Sequence, residues 1–295
     1  MGNLEPVIHL TLACNHKCLF CSRKGDPPES EKEVNRILKK FKHTVTIEGG
    51  EPTLSKNLIS TVLKAKKAYV REIMLVTNGY SLDKPENIKK LLEAGVDVFN
   101  FNFPSHNEKL YDAITGSSNF QKTVTAIKNC VSIAGPEKTR LTFVINSLNY
   151  KYLAGYARFV KKEFGNIFYA EINMIKVLGS VKKRIWLVPK LSQAAEKIRQ
   201  GFKEFEKLGL NFIYDGIPLC LVKGFESKNI DAAMAAQGGL FSCGEKKHFS
   251  PCLKCLIKEI CPGPRKDYVK LYGSDELNPI KNSTQAAEIK RSLKK

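Results

Sequence analysis

An α/β fold of parallel strands, arranged as a partial barrel of six βα units, is what the sequence of 295 residues predicts. Three observations predict it. Short β-branched or apolar runs recur along the chain; stretches with apolar residues three and four apart separate them; and the residues that carry chemistry fall just after the runs.

Residues 7–12, 44–48, 73–77, 96–101, 141–145 and 167–172 read as strands. Residues 31–41, 55–68, 84–94, 120–133 and 150–164 have helical spacing, as Leu58, Val62 and Ala65 illustrate. Such alternation implies right-handed βαβ crossovers, and six units suit a partial barrel better than a complete eightfold one. Ser105 is the expected N-cap of a helix starting near His106. Residues 191–208 read as a further helix and 210–214 as a short strand. From about Gly216 the chain is rich in Cys, Gly and Pro, and a small-residue stretch at 231–236 is its one sign of periodicity. A segment this irregular needs a staple such as a metal. The expected division is a barrel at 1–215, a Cys-rich extension at 216–280 and a basic tail at 281–295 that forms a short or frayed helix.

The net charge is +19, from 48 Lys and Arg against 29 Asp and Glu. The lysines are spread along the whole chain. That describes a solvated surface better than a nucleic-acid footprint, which should be a patch, although affinity for RNA or another anion stays open. No apolar run is long enough to span a bilayer, and the first residues lack the layout of a secretory signal, so a cytoplasmic protein is expected.

Nine cysteines is an odd count, and in a reducing compartment clusters of them suggest metal before disulfide. Cys130 stands alone on a helix at apolar spacing and reads as a buried core thiol. Cys14, Cys18 and Cys21 have C-x3-C-x2-C spacing. Three thiolates on one tight loop can hold three corners of a cubane iron–sulfur cluster and leave the fourth iron open, the mark of a catalytic site. A zinc ion is the alternative, with His16 or His43 as its fourth ligand. After the second strand comes Gly49-Gly50-Glu51-Pro52. The glycines let backbone pass close to a ligand, the proline fixes the turn, and Glu51 offers an anion to an ammonium group.

The cysteine spacing, with aromatic Phe20 before the last Cys, resembles the signature of the radical S-adenosylmethionine (SAM) superfamily. Gly49–Pro52 looks like that family's GGEP loop. The resemblance implies a [4Fe-4S] cluster on Cys14, Cys18 and Cys21 whose open iron is chelated by SAM. Reductive cleavage then gives a 5′-deoxyadenosyl radical that abstracts a substrate hydrogen. It also implies a one-electron reductant such as flavodoxin or ferredoxin. Gly49, Gly50, Glu51 and Pro52 would meet SAM, with Phe20 and Asn78 beside it; Asn102 and Asn146 are further candidates for its ribose or carboxylate. Asn78 could equally be a plain turn residue, and an Asn at a strand end, as Asn102 and Asn146 are, is often a cap or turn residue.

Cys252-x2-Cys255-x5-Cys261 resembles the core of the SPASM and twitch extensions of the same superfamily, which carry auxiliary iron–sulfur clusters. This chain departs from the full pattern. Arg265 stands where the next Cys would fall, and the five C-terminal cysteines suffice for one four-ligand cluster. Cys220, Cys252, Cys255 and Cys261 are the first choice of ligands, with Cys243 as alternate and a structural zinc as the competing reading. The substrate is not legible: a peptide, an anionic small molecule and RNA are all compatible, and the early position of Cys14 weighs against a leader-binding peptide maturase. A non-catalytic zinc-bound or RNA-binding protein would explain the cysteines and the charge, but not Gly49–Pro52.

Overall fold

A computed structural model describes residues 6–23, 25–239 and 244–293. Along them run β1 (Val7–His9), α1 (Glu31–Lys40), β2 (Thr44–Glu48), α2 (Leu58–Lys67), β3 (Glu72–Thr77), α3 (Pro85–Ala94), β4 (Val98–Asn102), α4 (Glu108–Thr115), α5 (Phe120–Ile133), β5 (Thr139–Ile145), α6 (Leu153–Phe164), β6 (Tyr169–Met174), α7 (Leu191–Lys207), β7 (Phe212–Asp215), α8 (Ile230–Ala236), α9 (Lys266–Tyr272) and α10 (Ser283–Ser292).

The strands form one sheet in sequence order, β1 to β7, and every pairing is parallel. The edges β1 and β7 do not pair, so the sheet is an open, partial barrel. All six expected strands are present, and the short strand expected near residue 212 continues the same sheet as its seventh member. Parallel strands covered by crossover helices are buried on both faces, which explains runs such as Ile73 and Leu75 at 0% exposure. Phe99, Phe101, Phe103, Phe143 and Tyr156 fill the space between sheet and helices. Cys130 lies fully buried among them, its sulfur accepting from the Thr139 hydroxyl at 3.4 Å.

Two local expectations shift. The first strand ends at His9 and not at residue 12, because the following backbone pairs instead with the loop after β2. The fourth helix begins at Glu108, and its N-cap is Asn107, whose side chain accepts from the Leu110 amide. Ser105 supports that cap by accepting from the Asn107 amide at 3.0 Å.

After β7 the chain turns back on the barrel through short helical turns, α8, α9 and α10. Ion pairs hold it there. Lys246 pairs with Asp215 at the end of β7 and with Asp231 of α8. Arg265 is 4% exposed and pairs with Glu245 and Asp267, each at 2.8 Å. The basic tail is the helix α10, docked through Ala286 and Ile289. No helix among the described residues is long and apolar enough to cross a membrane.

Candidate active site

All parallel strands point their C-terminal ends to one rim, and the loops there enclose a cleft of about 700 Å³. The loop after β1 carries Cys14, Cys18 and Cys21, and all three line the cleft with Phe20. Cys14 is exposed, and the other two are partly covered.

Four neighbours hold this loop. From the loop after β2, Gly50 donates its amide to the Thr11 carbonyl (2.6 Å) and Glu51 donates its amide to that of Ala13 (2.7 Å). The last carbonyls of α4, at Ile114 and Thr115, accept the amides of Leu19 and Lys17, each at 2.8 Å; a helix C-terminus thereby satisfies its orphan acceptors on the cluster loop. Asn78, after β3, donates to Asn15 at 2.9 Å and approaches the Cys14 sulfur at 3.8 Å. From the segment after β6, Ser180 donates its amide to the Cys21 carbonyl at 2.8 Å.

The glycines are required by these contacts. A Cβ on Gly50 would collide with the Ala13 carbonyl, and one on Gly49 would lie 2.6 Å from the Thr11 oxygen. Gly179, at φ +50, is packed on the carbonyls of Cys21 and Ser22 so closely that no side chain fits. The glycines after β2 thus admit the cluster loop itself, and Gly49 and Gly50 also line the cleft.

Glu51 does not take the expected place. It is 0% exposed and is absent from the cleft wall. One carboxylate oxygen accepts from the Thr53 amide (3.1 Å), the Thr53 hydroxyl (2.8 Å) and the Thr77 hydroxyl (2.7 Å), and the other from the Asn78 amide (2.7 Å). Burial pushes its pKa up, against these hydrogen bonds, which pull it down. The carboxylate therefore fastens the loops after β2 and β3 together, and it has no direct line to an ammonium group. Pro52 is buried as well. Asn102, at the end of β4, lines the cleft. Asn146 does not: it is fully buried, bonded to the carbonyl of Val144 and the amide of Leu148, and it caps its own turn. Asn173, Lys176 and Arg184 line the cleft in its stead, and no sequence motif announces them.

Burial and repulsion from Cys14 and Cys21 push the Cys18 thiol up to about 12, and burial raises Cys14. Three bare thiolates would be unstable here; a donor set of this kind fits a positively charged partner that keeps the sulfurs deprotonated. His16 is not placed as a further ligand. Its ring packs edge-on to Tyr111 at 6.2 Å, both nitrogens lack partners, and burial lowers its pKa to about 4. His43 precedes β2 and so lies at the opposite end of the sheet. Among the described residues, no three of the His, Cys, Asp and Glu side chains converge tightly enough for a single metal ion.

The second cysteine group also comes together. Cys220, Cys252, Cys255 and Cys261 line one small cavity, of about 20 Å³, with His248 and Ile257. Burial raises Cys220 to about 11, and repulsion from Cys252 and Cys255 adds to it; burial likewise raises Cys261 to about 12. Cys243, the alternate, lies outside the described residues. Arg265, in the place of a further Cys, is the buried ion-pairing residue that clamps this region. Its partner Asp267 accepts the Val177 amide at 2.9 Å, next to cleft-lining Lys176.

The open parallel barrel thus carries three thiols of one loop on the wall of a large cleft, and four further thiols around a second, small cavity. Residues 8–160 match the Radical SAM superfamily, and the chain belongs to it. Enzymes of this superfamily use a [4Fe-4S] cluster and SAM and need a reductant. Among curated proteins, the chain is 31% identical over 150 residues to a probable GTP 3′,8-cyclase of Saccharolobus solfataricus, covering 48% of each. It is 32% identical over 151 residues to the corresponding protein of Thermococcus kodakarensis, again 48% of each. The chain thus spans about half the length of the curated relatives it matches. Among solved structures, SuiB of Streptococcus suis superposes with a TM-score of 0.57 at 19% identity, over 72% of this chain and 49% of that one. HydG, a maturase of the [FeFe]-hydrogenase, does so at 0.53 and 14%, over 98% and 81%. These likenesses are of fold.

Proposed function

We propose that the chain cleaves SAM at a [4Fe-4S] cluster held by Cys14, Cys18 and Cys21, abstracts a hydrogen atom from an anionic small molecule, and carries one auxiliary cluster on Cys220, Cys252, Cys255 and Cys261. The single observation that carries this reading is that Cys14, Cys18 and Cys21, on one loop at the strand ends, all line a cleft of about 700 Å³, large enough for SAM and a substrate. When bound, the cluster and SAM supply one-electron bond cleavage and hydrogen abstraction. The chain's own residues do the rest. Gly49 and Gly50 bring backbone against the cluster loop, Glu51 and Asn78 fix its shape, and the turn at Gly179–Lys183 covers its far end.

The substrate class follows from charge. Of the cations on the cleft wall, Arg23 pairs with Glu48 and Lys176 with Glu245, whereas Lys17 and Arg184 have no carboxylate partner among the described residues. Two unopposed cations beside the cluster loop favour a negatively charged guest over a neutral peptide. A nucleotide of the kind acted on by the GTP cyclases is the first to try. The residues 216–280 act in this reading as the auxiliary-cluster region.

The test is anaerobic reconstitution followed by reduction and product analysis. Brown protein with two clusters, formation of 5′-deoxyadenosine, and stimulation of that product by nucleoside triphosphates but not by peptides are the expected results. Colourless protein with stoichiometric zinc and no SAM cleavage would refute the reading.

A further inference from the structure

At the rim of the barrel the last residues of β1 and β2 lie side by side. His9 is the register partner of Glu48, and paired residues of neighbouring parallel strands present their side chains to the same face. That face is the cleft, and both residues line it. The backbone under them is fixed. The His9 amide donates to the Glu29 carboxylate, the Glu29 amide donates to the His9 carbonyl at 2.9 Å, and the Leu10 amide donates to the Glu48 carbonyl at 2.8 Å.

The ring of His9 is aimed. Its Nδ1 is enclosed and lies 3.5 Å from a Glu48 oxygen, whereas its Nε2 is neither enclosed nor bonded to another group among the described residues. A carboxylate beside Nδ1 selects the tautomer that carries the ring proton there, which leaves the Nε2 lone pair free. In enzymes without bound substrate such a contact is often long and tightens on binding.

The other polar groups of the wall are less able to take a proton. His16 has both ring nitrogens enclosed. The carboxylates of Glu48 and Asp26 are engaged by Arg23, at 2.8 and 3.7 Å. Lys17, Lys176 and Arg184 are cations, and the thiols belong to the cluster loop. The charged groups gathered at this corner are thus Glu48 of β2 and Arg23, Asp26 and Glu29 of the loop before α1.

We infer that His9 is the proton acceptor for the substrate: its Nε2 takes the proton of an O–H or N–H group on the molecule from which hydrogen is abstracted. The O–H or N–H bond breaks, its electron pair stays on the substrate oxygen or nitrogen, an N–H bond forms on the ring, and the neutral imidazole becomes a cation beside Glu48. No electron leaves in this step, so it needs no oxidant. The substrate class narrows to anions that carry a hydroxyl or amine group near the reacting carbon. This rests on the reading that the cleft takes the substrate together with SAM.

Two measurements test it. Cluster-loaded protein treated anaerobically with diethyl pyrocarbonate should be carbethoxylated at His9 and not at His16, as read by peptide mass spectrometry, and SAM with GTP should protect His9. In turnover with GTP, His9→Gln should lower kcat at least about a hundredfold with little change in KM, the scale of one acid–base group, and its iron content should match the parent's. Turnover by the parent should fall toward acid pH, as the ring takes its proton from solvent instead, and His9→Gln should lose that fall. Added imidazole should restore part of the activity of His9→Ala. An unlabelled His9 overturns the inference. So does a His9→Gln variant that turns over as the parent does or that changes KM alone, and so does a loss that is equal at every pH and not rescued by imidazole. If no nucleotide is turned over, the substrate proposed above is wrong, and the labelling of His9 still decides whether its Nε2 is open to the cleft as the inference requires.

Discussion

The two cysteine groups of this chain are built for opposite ends. Cys14, Cys18 and Cys21 lie on a loop at the rim of a cleft of about 700 Å³, with Cys14 exposed. Cys220, Cys252, Cys255 and Cys261 surround a cavity of about 20 Å³, with Cys261 buried. Three donors beside open space leave a metal position for chemistry, and four around a closed space leave none. In the reading proposed above, the number of ligands and the volume in front of them, taken together, separate a reacting cluster from one that stores electrons or staples a fold.

Breaking the open group should have the largest effect. Cys14→Ala is expected to abolish 5′-deoxyadenosine formation, a loss of at least about a thousandfold in rate. Retained cleavage would place the reacting iron elsewhere. Cys255→Ala should remove about four irons per chain, the content of one cubane cluster, while some cleavage persists; loss of all iron would show that the two groups do not load independently.

Glu51→Gln sharpens the comparison from the side of the loop. An amide offers one acceptor oxygen where four donors now meet two, so the melting temperature should drop by the equivalent of about 1–3 kcal/mol, with weaker SAM binding as a consequence. Weaker SAM binding at an unchanged melting temperature would mean that the carboxylate touches SAM directly.

The smallest effect concerns the clamp on the closed group. Burial raises the Asp267 pKa, but its bonds from Arg265 and the Val177 amide more than reverse this and leave it below the usual range. A carboxylate held lower in the folded chain adds stability above its unfolded pKa, near 4, and loses it as the pH falls through the folded value. Melting followed as the pH falls below about 5 should therefore show a loss of stability that Asp267→Asn removes. An identical pH profile in the variant would deny the clamp its charge.

Much of this was legible in sequence because its cause is local. Strand runs and helical spacing act over a few residues, so all six strands were foreseen, and C-x3-C-x2-C fixes its own loop. The count of donors a cluster needs admits any four of the five C-terminal cysteines, and Cys220, Cys252, Cys255 and Cys261, the first choice, line one cavity. The rest is long-range. Glu51 turns inward because Thr77 and Asn78, from the next strand, present donors to it. Gly179 matters because Cys21 lies against it, and Arg184 because the turn before it reaches the cluster loop, through contacts that span more than 150 residues. Asn146 was misplaced because an Asn at a strand end serves a turn as readily as a ligand.

The most direct test of an open trio and a closed quartet is electron paramagnetic resonance of the reduced, reconstituted protein with and without SAM. The account predicts two cluster signals, of which SAM shifts one. The shifted signal should persist in Cys255→Ala and vanish in Cys14→Ala. A SAM-shifted signal that survives in Cys14→Ala would contradict it.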